Sequence, residues 1–377
     1  MEKEKIKVMV VDDSALMRSL VSRIIDSQDD MEVTGKAMNG AFALQKIPNL
    51  KPDVIVLDLE MPEMNGIEFL REKEKRKINI PVIVLSSVAQ KGAKITFEAL
   101  SSGASDFLTK PSGEGQHSMH NVAAQLCSLV RAYAGRLPKP AETELPETAQ
   151  KIIQQQTDLI HAPEKTLKVL SREKKIEPSG DPVELIVIGI STGGPNALRH
   201  LLPCFNRDFS VPIVIVQHMP EGFTAEFAKS LGKICSIEVK EAQDEDILLP
   251  GRVLIAPGNR HLCLEKRRLG GLVRLSGTEP VNGHRPSAGI LFKSAAEHYG
   301  SSSMGIIMTG MGRDGSVEIG EIYRAGGYTV AQDEASSVVF GMPRVAIEHG
   351  FIQSVIPLDE MADFVTNYVS ETASVKR

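Results

Sequence analysis

Glu184-Leu185-Ile186-Val187-Ile188-Gly189-Ile190-Ser191-Thr192-Gly193-Gly194-Pro195 is the stretch on which the reading of this chain turns. Its apolar run is continuous, not alternating, which predicts a strand buried on both faces, as in a parallel α/β sheet. The run ends on a serine flanked by glycines. Glycine lets the backbone turn sharply and leaves the hydroxyl open, while the N–H groups just after the serine can face a developing oxyanion. A hydroxyl is a poor nucleophile without a base. Val211-Pro212-Ile213-Val214-Ile215-Val216 reads as the next strand and ends at Gln217-His218-Met219-Pro220, and Met304-Gly305-Ile306-Ile307-Met308 ends at Thr309-Gly310-Met311-Gly312-Arg313-Asp314-Gly315. Ser191, His218 and Asp314 are therefore expected at strand C-terminal ends, which in a parallel sheet share one rim.

Each residue alone has a plainer reading. A glycine turn after a strand also suits a dinucleotide phosphate, but that site needs an acid at the end of the second strand. Here Asp208 falls before that strand, and Gln217-His218 stands at its end. His218 alone also reads as a core histidine, and Asp314 alone as the N-cap of a helix patterned on Val317, Ile319 and Ile322. The chain order Ser, His, Asp differs from the Ser, acid, His order of α/β-hydrolases and implies a separate fold.

The first third carries an independent constellation. Ile6-Lys7-Val8-Met9-Val10-Val11 ends in Asp12-Asp13, and Val54-Ile55-Val56-Leu57 ends in Asp58. Three carboxylates at one sheet edge repel unless a hard cation joins them, which suggests Mg²⁺ on oxygen ligands and Asp58 as a phosphoryl acceptor. Pro81-Val82-Ile83-Val84-Leu85 ends in Ser86, and Ala104-Ser105-Asp106-Phe107-Leu108-Thr109 ends in Lys110, a hydroxyl and a cation suited to phosphoryl oxygens. The alternative is that acids after strands only cap helices.

Residues 1–135 resemble a two-component receiver domain through Val11-Asp12-Asp13-Ser14, Leu57-Asp58-Leu59-Glu60-Met61-Pro62, Ser86 and Lys110-Pro111. Residues 182–377 resemble the catalytic domain of the chemotaxis protein-glutamate methylesterases, the CheB family. That likeness rests on Gly189 to Pro195, Gln217-His218-Met219-Pro220, His284-Arg285-Pro286-Ser287, Met311-Gly312-Arg313-Asp314-Gly315 and Ala331-Gln332-Asp333-Glu334-Ala335-Ser336. The resemblance implies a flavodoxin-like receiver with a five-stranded parallel sheet, followed by a doubly wound, mainly parallel α/β methylesterase domain.

A length of 377 residues favours two domains, and 42% hydrophobic residues is ample for α/β cores. Between the domains, residues 136–181 turn polar and proline-interrupted and read as a linker, helical at most transiently around Ile152 to Leu170. Cys127, Cys204, Cys235 and Cys263 show no C-x-x-C spacing and are expected to be reduced and mostly buried. No apolar stretch approaches membrane length, which points to a cytoplasmic protein without membrane insertion. A receiver can also drive a DNA-binding output. From Pro182 onward, however, 18 Lys and Arg stand against 22 Asp and Glu, the wrong sign for a phosphate-binding surface. The basic run Lys266-Arg267-Arg268 reads instead as a hairpin tip between Leu262–Glu265 and Leu272–Leu275. A third class, a binding module switched by phosphorylation, leaves the Ser191, His218 and Asp314 arrangement unexplained.

The resemblance implies that Ser191 attacks the γ-glutamyl methyl ester of a methyl-accepting chemotaxis receptor, with His218 as base and Asp314 orienting it. Thr192 and Met311 would stabilise the oxyanion, and His284 and Arg285 are candidate substrate contacts. Deamidation of glutamine by the same chemistry stays open. In the receiver, Asp12, Asp13, Asp58 and Glu60 would hold Mg²⁺, a chemotaxis histidine kinase would phosphorylate Asp58, and Ser86 and Lys110 would respond. The esterase reaction would need no cofactor, and the unphosphorylated receiver is expected to cover the catalytic rim.

Overall fold

The computed structural model describes residues 4–87, 90–110, 116–135, 179–268 and 270–374, so all but the last three residues of the expected linker lie outside it. The first sheet holds β1 (Ile6–Val11), β2 (Met31–Ala37), β3 (Val54–Asp58), β4 (Val82–Ser86) and β5 (Asp106–Thr109), in the order β2-β1-β3-β4-β5. Every pairing in it is parallel. The helices α1 (Ala15–Asp26), α2 (Gly40–Leu50), α3 (Gly66–Lys75), α4 (Gln90–Ser101) and α5 (Gln116–Tyr133) connect and flank these strands. The central strands β3 and β4 are buried at every position, as continuous apolar runs covered on both faces must be.

The second sheet holds β6 (Leu185–Ile190), β7 (Ile213–Gln217), β8 (Glu238–Glu241), β9 (Arg252–Ile255), β12 (Ser303–Ile307), β13 (Tyr328–Gln332) and β14 (Ser354–Ile356). Their order is β14-β13-β12-β6-β7-β9-β8, again parallel throughout. The chain runs outward from β6 on one side and returns on the other with β12, so the order reverses beside β6 and opens a crevice there. Strands β10 (His261–Arg267) and β11 (Gly270–Ser276) form the expected hairpin, pairing Leu262 with Leu275 and Glu265 with Leu272. It reaches further than the apolar runs alone indicated, because Gly270 and Gly271 pair with Arg267 and Lys266. The basic run is locally compensated, with Lys266 on Glu184 and Arg267 on Glu265.

Helices α6 (Gly194–Leu201), α7 (Phe223–Gly232), α8 (Ala288–Tyr299), α9 (Ile319–Arg324), α10 (Met342–Glu348) and α11 (Leu358–Ser374) complete the second half. All four cysteines are free, but only Cys127 is buried. Cys204 is exposed because the chain after α6 tightens into a 3₁₀ turn that turns its side chain outward. No helix among the described residues is long and apolar enough to cross a membrane.

The two halves share one apolar cluster. Phe97 of α4 and Phe107 of β5 pack on Phe223 and Phe227 of α7, with Phe107 and Phe223 stacked at 5.2 Å and Phe97 and Phe227 at 5.2 Å. Asn196 of α6 donates to the Ser105 carbonyl at 2.7 Å, and the Gly193 N–H donates to the Asp106 carboxylate at 3.0 Å.

Candidate active site and phosphoryl pocket

Ser191 follows β6, and its backbone is pinned by donating its N–H to the Thr309 carbonyl at 3.0 Å. The turn then closes through Gly194 N–H on the Ser191 carbonyl, with Gly193 left-handed at φ 77° so that α6 can start immediately on Pro195. His218 follows β7, where its N–H donates to the Ile190 carbonyl. The side chains meet: Ser191 Oγ lies 3.0 Å from His218 Nδ1, and His218 Nε2 lies 2.9 Å from Asp314 Oδ2. With Asp314 holding the proton on Nε2, Nδ1 is left to accept the serine proton. The two ring nitrogens are used in the reverse sense to the chymotrypsin arrangement, with the same chemical result.

Asp314 is 1% exposed and fully engaged. It accepts from Ser287 Oγ at 2.7 Å, the Ala288 N–H at 2.7 Å and Asn282 Nδ2 at 3.3 Å. Burial by itself would raise its pKa, but His218, Ser287 and the Ala288 N–H outweigh burial and hold it down at about 2. The helix after Asp314 starts only at Ile319, so the carboxylate does not cap it and instead accepts from the first turn of α8 across the domain.

The site opens into a cleft of about 410 Å³ lined by Ser191, Thr192, His218, His284 and Met311. The N–H groups of Thr192 and Met311 have no acceptor among the described residues. His284 stacks flat on His218, with ring centroids 3.9 Å apart and planes 4° from parallel. Burial, followed by the nearby His218 charge, lowers its pKa to about 4, so it is neutral at physiological pH. Arg285 also borders the cleft, but its guanidinium is used internally, donating to Asn259 Oδ1 and to the Gly277 and Thr278 carbonyls.

The receiver forms the far wall of the same cleft, through Asp106, Phe107, Gln125, Ser128 and Leu129. Asp106 is 5% exposed and accepts from the Gly193 N–H, the Phe107 N–H and Tyr133 Oη. Burial raises its pKa to about 6. In the sequence Asp106 stands within a predicted strand and carries no expected role. The available signal was an acid in the strand immediately before an apolar run. The four-phenylalanine contact had no comparable signal, since Phe97 and Phe107 lie far along the chain from Phe223 and Phe227.

At the other end of the receiver sheet, Asp12, Asp13 and Asp58 offer carboxylate oxygens all within 4.8 Å of one another. The helix after β1 is capped by Ser14, whose Oγ accepts from the Met17 N–H at 3.3 Å, which leaves Asp13 out of helix capping. Burial, opposed by Lys110 and supported by the charge of Asp12, raises the Asp58 pKa. Lys110 Nζ reaches Asp58 at 2.9 Å and Asp12 at 3.2 Å. Burial would lower its pKa, but the two carboxylates outweigh that and raise it. A like-charged, all-oxygen set of this kind fits a hard divalent cation. The Glu60 side chain is not part of it: exposed on the loop after β3, it points to Lys91 Nζ at 3.6 Å. Ser86 is buried beneath, and Thr96 Oγ1 of α4 donates to its Oγ at 2.6 Å.

A response regulator receiver domain matches residues 8–120, and a CheB methylesterase domain matches residues 186–365. The protein-glutamate methylesterase/protein-glutamine glutaminase of Treponema denticola is 49% identical over 98% of this chain and 100% of its own length. The chain belongs to the CheB methylesterase family. It is a hydrolase with a receiver domain ahead of it. Protein-glutamate methylesterase/protein-glutamine glutaminase 2 of Koribacter versatilis is 47% identical over 96% of this chain and 95% of its own. The Thermotoga maritima CheB methylesterase catalytic domain, a solved structure, is 38% identical over 49% of this chain and 98% of that one, with a TM-score of 0.48.

Proposed function

We propose that this chain removes methyl esters from glutamate side chains of methyl-accepting chemotaxis receptors, with phosphorylation of Asp58 setting the rate. The observation that carries the reading is the hydrogen-bonded series Ser191, His218, Asp314 opening into a cleft with two free N–H groups. Ser191 Oγ attacks the ester carbonyl carbon as His218 Nδ1 takes its proton. The oxyanion accepts from the Thr192 and Met311 N–H groups, which have no other acceptor among the described residues. Collapse breaks the C–O bond, and the histidine proton leaves with methanol. Water attacks the acyl-serine, giving its proton to His218, and the second collapse returns glutamate and free Ser191. Asp314, held ionised by four donors, fixes the ring and balances the imidazolium. The same steps on a primary amide release ammonia, and the glutaminase names of the relatives support that second activity. His284, neutral and flat against His218, shields one ring face, and Arg285 braces the cleft wall.

In the receiver, Asp12, Asp13 and Asp58 are the residues that would hold Mg²⁺, whose bound charge offsets the carboxylates and the phosphoryl oxygens. A histidine kinase of the chemotaxis system is the proposed phosphodonor. A phosphoryl group on Asp58 replaces the single carboxylate charge with about −1.5 to −2 on the phosphoryl oxygens, which Lys110 can hold and toward which Ser86 can turn. Ser86 would then release Thr96 of α4, and the next residue, Phe97, lies in the contact with α7. Reshaping α4 would loosen the receiver that now walls the cleft. Methanol release from methylated receptor membranes, with and without a small phosphodonor and Mg²⁺, tests both claims. Stimulated release is expected, and no release under either condition overturns the reading.

A further inference from the structure

The ladder between β6 and β7 ends at the pair Ile190 and Gln217, one residue short of both Ser191 and His218. Beyond it, the two segments carrying nucleophile and base are joined by the His218 N–H on Ile190 and by one buried side chain. Gln217 is 2% exposed, and its Nε2 donates to the Ser191 carbonyl at 3.0 Å and to the His218 carbonyl at 3.2 Å. Both amide hydrogens are thereby used. The orientation is fixed, because the opposite one would set the amide oxygen against two carbonyl oxygens. Its Oε1 is buried without a partner and lies over Gly194, where any Cβ would collide with it. A buried unpaired acceptor has an energetic cost, and this one is kept because the two donors face the carbonyls.

We propose that Gln217 is a positioning residue: its side-chain amide continues the sheet pairing past the strand ends and sets the separation between Ser191 and His218. It touches no reacting atom, and it acts by holding two backbones at the spacing that puts Oγ 3.0 Å from Nδ1. The inference rests on the proposed catalytic roles of those two residues. A displacement of the order of 1 Å at such a pair costs roughly 100-fold in rate, so the expected effect falls on turnover, not on substrate binding.

Gln217→Met keeps the length and removes both donors. In the full-length protein, kcat for methanol release should fall roughly 10- to 100-fold, with KM within about twofold and the folded fraction at assay temperature unchanged by circular dichroism. Gln217→Glu is the second variant, nearly isosteric but presenting a carboxylate to two carbonyl oxygens. Its activity relative to the unmodified protein should rise as the pH falls, because protonation restores one donor. A role confined to stability predicts a smaller folded fraction, normal kcat per folded molecule and a flat pH ratio, and that outcome overturns the proposal. Ser191→Ala run alongside separates the two levels: an active Ser191→Ala sinks the catalytic reading itself, whereas an inactive one with fully active Gln217 variants sinks only the positioning role.

Discussion

At the rim of the first sheet, three carboxylates lie within 4.8 Å of one another, one lysine pairs with two of them, and burial raises the pKa of the acid at the centre, Asp58. At the rim of the second sheet, a single carboxylate, Asp314, is more deeply buried yet held at about 2 by its donors. The receiver pocket is short of positive charge and changes state when a cation or phosphoryl group arrives. The hydrolase pocket is complete and needs only a substrate. Between the two rims lies a contact that belongs to neither, where β5 and α4 of the receiver meet α6 and α7.

The largest effect should come from the complete site. Ser191→Ala should lower methanol release by roughly 10⁵ to 10⁶ while thermal unfolding stays near that of the unmodified chain, because the side chain ends a turn and fills no core. Turnover within tenfold of normal would show that the nucleophile lies elsewhere. Asp314→Asn should cost about 10⁴ in turnover. It should also cost stability, since Asn cannot accept from all of His218, Ser287 and Ala288. The sign is set by the depressed pKa: ionised Asp314 stabilises the fold above pH about 4, and that contribution fades as the pH falls toward 2. Acid unfolding of Asp314→Asn should therefore show a weaker pH dependence in that window, and an unchanged acid transition would count against the network.

A smaller effect is expected where the two halves meet. Removing residues 1–180 should raise basal esterase activity roughly tenfold, because the open cleft no longer depends on a docking equilibrium. Asp58→Asn should abolish phosphodonor stimulation and leave basal turnover intact. A truncated chain no faster than the full one would mean that the receiver recruits or activates and does not cover.

The smallest effect concerns Asp106. Burial outweighs the Gly193 N–H, which favours the charged form, and leaves the docked carboxyl with a raised pKa, so its contribution to docking is full below pH about 4 and is lost as the pH rises to about 6. Asp106→Asn keeps an acceptor for the Gly193 N–H without the charge. It should lower basal activity at pH 7.5 by roughly two- to threefold and flatten its rise between pH about 4 and about 6. A variant with the parent pH profile would remove Asp106 from the latch.

The sequence by itself determined the strands and what stands at their ends. Short continuous apolar runs bounded by turn residues read as buried strands of a parallel sheet, and the residue after such a run emerges at the rim, so Ser191, His218, Asp12, Asp58 and Lys110 were legible from position. Tertiary structure decided what those residues touch. Asp314 stands seven residues beyond β12, and its partnership with Ser287 and Ala288 depends on where α8 packs. Glu60, carried into the cation set by motif, faces Lys91 instead, since loop backbone and not strand period aims it. The Gln217 tie and the Asp106 latch were invisible for the same reason. Periodicity reports which face of an element is buried, whereas a hydrogen bond across 26 or 87 residues depends on how separate elements come together.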